Sequence, residues 1–272
     1  MRSRDALAAA RKSLAAISDT PGLDAELLMA KAFGIERETL LLTCLEEPAP
    51  DAFEDLLGRR ARGEPIAYIL GRRAFWTIEL EVGPGVLIPR PDSEALIEAA
   101  LAQFGEAGPR SILDLGTGTG ALLLASLDQW REARGIGIDR SERALAVAHA
   151  NAERLGLSAR ADFRLGDWSE GITEQFDLIL CNPPYIAAGA PLPVDVAEWE
   201  PPMALFSGPD GLDDYRRLAP LIGPRLDAQG LACVEIGAGQ YDEVASLFAH
   251  EGLRTAARRD LAGRRRALLL SH

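Results

Sequence analysis

Apolar positions recur along the chain with three different rhythms. In the first seventy or so residues the spacing is helical. Leu7, Ala10, Leu14 and Ile17 fall on one face, and the stretch from Asp24 to Phe33 repeats the pattern with Leu27, Leu28 and Phe33. Asp51 is placed to cap a further helix that carries Phe53, Leu56 and Leu57 inward. Turn residues at Pro21-Gly22 and between Glu47 and Pro50 separate these segments, so a small helical bundle is expected. From Tyr68 to Ile88 the rhythm changes to β-formers broken by Gly71 and by Gly83-Pro84-Gly85, which reads as a hairpin linking two domains. The run PRPDSEALIEAALAQF then opens a helix, with Asp92 or Ser93 as N-cap and Pro91 at the entry.

From Arg110 onward short apolar runs alternate with amphipathic ones. Strands are expected at Ser111–Leu115, Gly135–Ile138, Asp162–Leu165, Phe176–Leu180 and Leu231–Ile236. Helices are expected at Gly120–Trp130, Glu142–Leu155, Asp213–Leu226 and Asp242–His250. Such alternation implies parallel strands joined by crossover helices, hence an α/β, doubly wound sheet. Arg254–Arg259 and Arg266–Leu270 read as two strands with only a turn at Gly263 between them, so one of that pair must run antiparallel to the rest. The expected organisation is a helical domain over residues 1–66, a hairpin linker over 67–85 and a catalytic domain over 86–272.

Composition narrows the picture. At 272 residues and 47% hydrophobic, the chain can bury a sizeable core. No apolar run reaches the length of a membrane span, and Arg11 and Lys12 break up the alanine-rich start, which reads as an amphipathic helix rather than a signal peptide. Cys44, Cys181 and Cys233 show neither metal-binding nor paired spacing, which suits a reducing cytoplasm, and His149, His250 and His272 are scattered, so no metal is assigned. A net charge of -12 disfavours a protein that grips duplex phosphates. The dense basic cluster, Arg258, Arg259, Arg264, Arg265 and Arg266, reads as a solvated strand edge or as a local nucleic-acid contact.

Three motifs carry chemistry. In ILDLGTGTGA, Ile112 to Ala121, a buried strand runs into Gly116, Gly118 and Gly120 and then a helix. Glycines there let a ligand approach the backbone, and the helix N-terminus offers free N–H groups. Gly116, Gly118 and Ala121 also satisfy the dinucleotide pattern, so an adenosyl group or NAD both fit. Asp139 ends the next strand about twenty residues further on, where a carboxylate accepts from both hydroxyls of a ribose. The third motif separates these cofactors. In FDLILCNPPYI, Phe176 to Ile186, a buried strand ends in Asn182-Pro183-Pro184-Tyr185. The prolines remove N–H groups and fix φ, which lets the Asn182 side-chain oxygen and the Pro183 carbonyl both face a cleft as acceptors. Two acceptors suit an NH2 group on a planar carbon, and Tyr185 offers a flat face to stack on it. Other positions stay open: Asp167 or Trp168 could flank an adenine, Arg90 could approach a ligand carboxylate or a substrate loop or bridge the domains, and Glu235 could be structural or line the substrate entrance. No serine, histidine and aspartate set forms a nucleophile arrangement.

The Asn-Pro-Pro-Tyr turn after a glycine-rich first loop resembles amino-methyltransferases of the class I Rossmann-like fold. EPIAYILGRRAFW (Glu64 to Trp76), VLIPRPDSE (Val86 to Glu94), GDW (Gly166 to Trp168), the stretch from Glu200 to Leu212, EIG (Glu235 to Gly237) and DLAGR (Asp260 to Arg264) narrow it. Across nearly the whole chain it resembles the HemK/PrmC family of protein-glutamine methyltransferases, which modify peptide release factors. Ser93 stands where that family often has Thr, and Arg265 where an acidic residue is common.

The resemblance implies a seven-strand sheet and S-adenosylmethionine held by Gly116, Thr117, Gly118, Thr119, Gly120, Asp139, Trp168 and Asn182. It implies a target glutamine, in a Gly-Gly-Gln loop of the release factor, held by Asn182, Pro183, Pro184 and Tyr185, with the helical domain recognising that protein. A monomeric cytoplasmic enzyme with no stable DNA or membrane association is expected. The rivals are a DNA adenine methyltransferase, which needs a target-reading module of a size not seen here, a cofactor-holding sensor, and an NAD oxidoreductase, which leaves the Asn-Pro-Pro-Tyr turn unexplained.

Overall fold

The computed structural model describes residues 1–259 and 263–272, so Asp260 to Ala262 of the DLAGR motif lie outside the described residues. The chain forms two compact units, one of residues 1–72 with 192–199 and the other of 73–191 with 200–272.

The first unit is helical: α1 (Ser3–Leu14), α2 (Pro21–Phe33), α3 (Arg37–Thr43), α4 (Ala52–Ala61) and α5 (Ile66–Leu70). The buried stripe of α1 is Ser3, Ala6, Ala10 and Leu14. Ile17, expected on that stripe, lies past the helix end and is exposed. Small alanines let α1 approach α2, which contributes Ala25, Leu28 and Met29 to a core closed by Leu40, Phe53 and Ile69. Tyr68 to Leu70, which read as strand, form the end of α5 instead. Gly71 stops that helix in the left-handed conformation (φ 79), a state that glycine adopts without a Cβ clash. Arg60 is buried within this unit: its Nε donates to Asp24 at 2.8 Å, and Asp195, on the returning segment, lies 3.9 Å from its Nη2.

The second unit begins with a hairpin, β1 (Arg72–Phe75) and β2 (Ile78–Glu81), and continues through α6 (Glu94–Phe104), β3 (Ser111–Leu115), α7 (Ala121–Gln129), β4 (Arg134–Asp139), α8 (Glu142–Arg154), β5 (Ala161–Leu165) and β6 (Phe176–Cys181). The chain visits the first unit as α9 (Val194–Ala197), then completes the second with α10 (Asp213–Ile222), β7 (Leu226–Glu235), α11 (Tyr241–His250), β8 (Arg254–Arg259) and β9 (Arg265–Ser271). Seven strands make one sheet in the order β5-β4-β3-β6-β7-β9-β8. The pairs from β5 across to β7 are parallel, and β9 is antiparallel to both β7 and β8, as the missing crossover helix requires.

Helices cover both faces. On one, α6, α7 and α8 bury Leu96, Leu123 and Leu145 with the hairpin residues Phe75, Ile78 and Leu80, so the hairpin is part of this core. On the other, α10 and α11 bury Tyr215, Leu218, Val244 and Phe248 against Leu113, Leu115 and Ile179. The chain winds from β3 outward through β4 to β5, then returns to the far side of β3 with β6. Strand order thus reverses between β3 and β6, the place where an open α/β sheet forms a crevice beyond its carboxyl ends.

Candidate active site

A cleft opens at that reversal. Gly116, Thr117, Gly118 and Thr119 line it from the turn after β3, Asp139 from the end of β4, Trp168 from the loop after β5, and Asn182 with Pro184 from the turn after β6. Gly120, Pro183 and Tyr185 stand just outside this lining. Gly120 caps α7 with φ 82, Pro183 is buried, and Tyr185 packs against the apolar face beside α10.

The glycine turn has the backbone its sequence calls for. Gly116 and Gly118 have φ of 73° and 57°. A side chain at Gly118 would meet nothing within 4 Å, so the space beside it is open to a ligand. At Gly116 a Cβ would come within 3.3 Å of the Trp168 ring. Thr117 is less free than its place in the lining suggests. Its hydroxyl donates to Asp114 at 2.6 Å, and burial pushes that carboxyl up to about 7, against the pull of the Thr117 hydrogen bond. Asp139 accepts one hydrogen bond per oxygen, from the Gly118 N–H (2.8 Å) and the Ser141 N–H (2.9 Å). Ser141, not Asp139, caps α8 by accepting from the Ala144 N–H. Each Asp139 oxygen therefore keeps a free lone pair, and the residue lines the cleft. Trp168 adopts φ 52°, and its buried indole N–H has no partner among the described residues.

On the opposite wall, the Asn182 amide donates to the Ser93 hydroxyl at 3.0 Å. Ser93 was expected as a helix cap, yet it makes no capping bond; its hydroxyl donates to Glu235 at 2.5 Å. The other Glu235 oxygen accepts from the Tyr185 hydroxyl at 3.2 Å. Glu235 is wholly buried, and burial pushes its carboxyl up to about 7 although Ser93, Arg266 and Tyr185 oppose the shift. Burial and the neighbouring Glu235 raise the Tyr185 phenol well above its ordinary range. Arg90 pairs with the buried carboxylate of Glu200, which also accepts from the Ile88 N–H at 3.1 Å, so it ties two segments of the cleft rim together.

The basic cluster does not form one face. Arg266 is buried, pairs with Asp92 at 2.9 Å and donates to the Ile236 carbonyl, while Arg258 pairs with Glu98 at 3.1 Å. Arg265 pairs with Asp242 and lies 4.3 Å over the Tyr241 ring. Sequence reasoning left Glu235 undecided and gave Ser93 a purely local role. The available signal was an ionisable residue at the end of the apolar run LACVEI, where burial without a partner is costly.

A seven-stranded, mostly parallel sheet with an antiparallel final hairpin, a glycine turn after its first parallel strand, an acidic residue ending the second and an Asn-Pro-Pro-Tyr turn ending the fourth define a class I S-adenosylmethionine-dependent methyltransferase. Solved structures agree at the level of fold: a ribosomal protein L11 methylase from Lactobacillus delbrueckii subsp. bulgaricus (TM-score 0.53, 19% identity, 71% of this chain and 84% of that one) and a methyltransferase from Pyrococcus furiosus (TM-score 0.52, 18%, 72% and 90%). Family models match as well, the PrmC N-terminal domain over residues 5–71 and a methyltransferase domain over residues 109–203.

The chain is 44% identical to the release factor glutamine methyltransferase of Cereibacter sphaeroides over 98% of its own length and 97% of the relative's. With those of Caulobacter vibrioides and Moorella thermoacetica it shares 43% (86% of this chain, 83% of the relative) and 39% (99% and 98%). The chain belongs to the release factor glutamine methyltransferase family.

Proposed function

We propose that the protein methylates the side-chain amide nitrogen of the glutamine in the Gly-Gly-Gln loop of peptide chain release factors, with S-adenosylmethionine as donor. The supporting observation is the pairing of Asp139 and the open glycine turn on one wall of the cleft with Asn182 and Pro184, of the Asn182-Pro183-Pro184-Tyr185 turn, on the other. The donor set fits the cofactor. A carboxylate with free lone pairs suits ribose hydroxyls, the side-chain-free Gly118 admits close approach, and the Trp168 ring beside Gly116 offers a flat face to an adenine. When bound, the cofactor supplies an electrophilic methyl on a sulfonium whose leaving group is neutral. The residues of this chain then mainly orient the acceptor.

Asn182, through its oxygen, and the Pro183 carbonyl accept the two amide N–H bonds of the target. Holding both turns the nitrogen's out-of-plane lone pair toward the methyl. Tyr185 backs the planar group. No side chain need act as a general base, because the nitrogen becomes acidic on methylation and then loses its proton. In the same reading, the helical unit, residues 1–72 with 192–199, recognises the release factor. The enzyme works as a monomer in the cytoplasm, without stable association with DNA or membrane.

Methyl-labelled cofactor incubated separately with a release factor and with duplex DNA tests the substrate: label is expected on the glutamine. Label on DNA alone would move the assignment to nucleic acid. Asp139→Ala tests the cofactor site. Hydrogen bonds to a charged group contribute about 1.5–3 kcal/mol, so affinity for S-adenosylmethionine is expected to fall about tenfold or more with the fold retained. Unchanged affinity by titration calorimetry would remove Asp139 from the site.

A further inference from the structure

Asn182 can serve as an acceptor only if its amide is held the right way round, and an asparagine has no intrinsic preference between its two ends. What fixes it lies in the hydrogen-bond chain behind it. A carboxylate only accepts, whereas a serine hydroxyl has one hydrogen to give. Glu235 is buried and takes the Ser93 hydrogen at 2.5 Å. Ser93 then has only lone pairs left for Asn182, so it can face only the NH2 end, as the 3.0 Å contact shows. The oxygen end is left for the cleft. With Glu235 ionised, the count of donors and acceptors admits no other orientation of the amide.

We infer that Glu235 is a positioning residue that, acting through Ser93, sets the polarity of the Asn182 amide and thereby makes its oxygen the acceptor for the target nitrogen. The inference rests on the role proposed above for Asn182. Tyr185 belongs to the same device, because its hydroxyl donates to the second oxygen of Glu235 at 3.2 Å, and one buried carboxylate thus anchors both ends of the Asn182–Tyr185 turn. The surroundings hold that carboxylate in place. Tyr215 from α10 donates to the Glu235 main-chain carbonyl at 2.9 Å. Arg266 from β9 faces it, paired with Asp92 from the turn before α6, and Cys181 lies at the end of the adjoining strand β6.

Protonation would undo the arrangement. A neutral Glu235 can donate to Ser93, which frees the Ser93 hydrogen to point at Asn182 and favours its oxygen end there, with the NH2 turned to the cleft. Burial brings this carboxyl up to about 7. The folded enzyme is therefore expected to lose transfer rate as pH falls through neutrality and to gain it above.

Single-turnover methyl transfer to a release factor, at saturating cofactor and protein, tests the chain of bonds. Glu235→Gln replaces one acceptor oxygen by an NH2, so that Ser93 and Tyr185 can no longer both donate to it, and Ser93→Ala removes the link. Each is expected to lower the saturated rate about tenfold, with half-saturating concentrations and cofactor affinity within about twofold of the parent. Ser93→Thr, which keeps the hydroxyl, is expected to recover most of what Ser93→Ala loses, and Glu235→Gln to flatten the pH profile. If Glu235→Gln and Ser93→Ala transfer at the parent rate while Asn182→Ala does not, the positioning role is wrong and the Asn182 role stands. If Asn182→Ala itself transfers at the parent rate, the underlying reading fails first. A loss confined to cofactor affinity, or a Glu235→Gln pH profile like the parent's, would make Glu235 merely structural and overturn the inference.

Discussion

Asn182→Ala is expected to slow methyl transfer by about 100-fold or more while leaving the enzyme folded. The substitution removes one acceptor from a cleft whose task is orientation. Stability should change little. The strand that leads into Asn182, Phe176–Cys181, is buried and paired on both sides, and among the described residues the side chain makes one hydrogen bond, to Ser93. Losing a neutral bond of that kind costs about 0.5–1.5 kcal/mol, against about 2.7 kcal/mol for a 100-fold loss of rate. Single-turnover transfer beside a thermal melt separates the two; a variant that melts normally and transfers normally would end the hydrogen-bond model.

A comparable loss is expected from the substrate side. Asparagine presents the same amide as glutamine on a stem one methylene shorter. With the amide held by Asn182 and Pro183 at a fixed depth, its nitrogen would stop about 1 Å or more short, and misplacement on that scale costs about 100-fold. A release factor with Gln→Asn in its Gly-Gly-Gln loop should therefore bind but scarcely accept methyl. Its glycines act at an earlier step, letting the loop enter with positive φ and no side-chain clash, so Gly→Ala variants should bind less well. Mass spectrometry after incubation with cofactor reads both effects. An asparagine variant methylated as fast as the glutamine protein would overturn the substrate assignment and leave the methyltransferase standing.

What the sequence made legible was local or periodic. The apolar run Phe176–Cys181 followed by two prolines announced a buried strand and its end, and Asp139 announced itself by its distance from the glycines. The antiparallel tail followed from the absence of a helix between its strands. Local rules failed where a distant partner decides. Ser93 has the sequence context of a helix cap, but its hydroxyl is claimed by residues 142 and 89 positions away. Tyr68 to Leu70 have β-forming side chains, yet they complete the short helix α5 ahead of the Gly71 stop. Strand β7 begins at Leu226, ahead of the expected Leu231, since pairing of Leu226 with Phe176 draws the polar Asp227–Gly230 segment into it.

The chain passes from one compact unit to the other after residues 72, 191 and 199, and this threading bears on synthesis. The helices of the first unit leave the ribosome early, but its last piece, residues 192–199, follows only after residues 73–191. At about 5–20 residues per second that interval is on the order of ten seconds. Throughout it the nascent bundle has Asp24 beside Arg60 but not Asp195. The last piece of the helical unit is thus made only after β3 to β6, so Arg60 meets its second carboxylate neighbour late in synthesis.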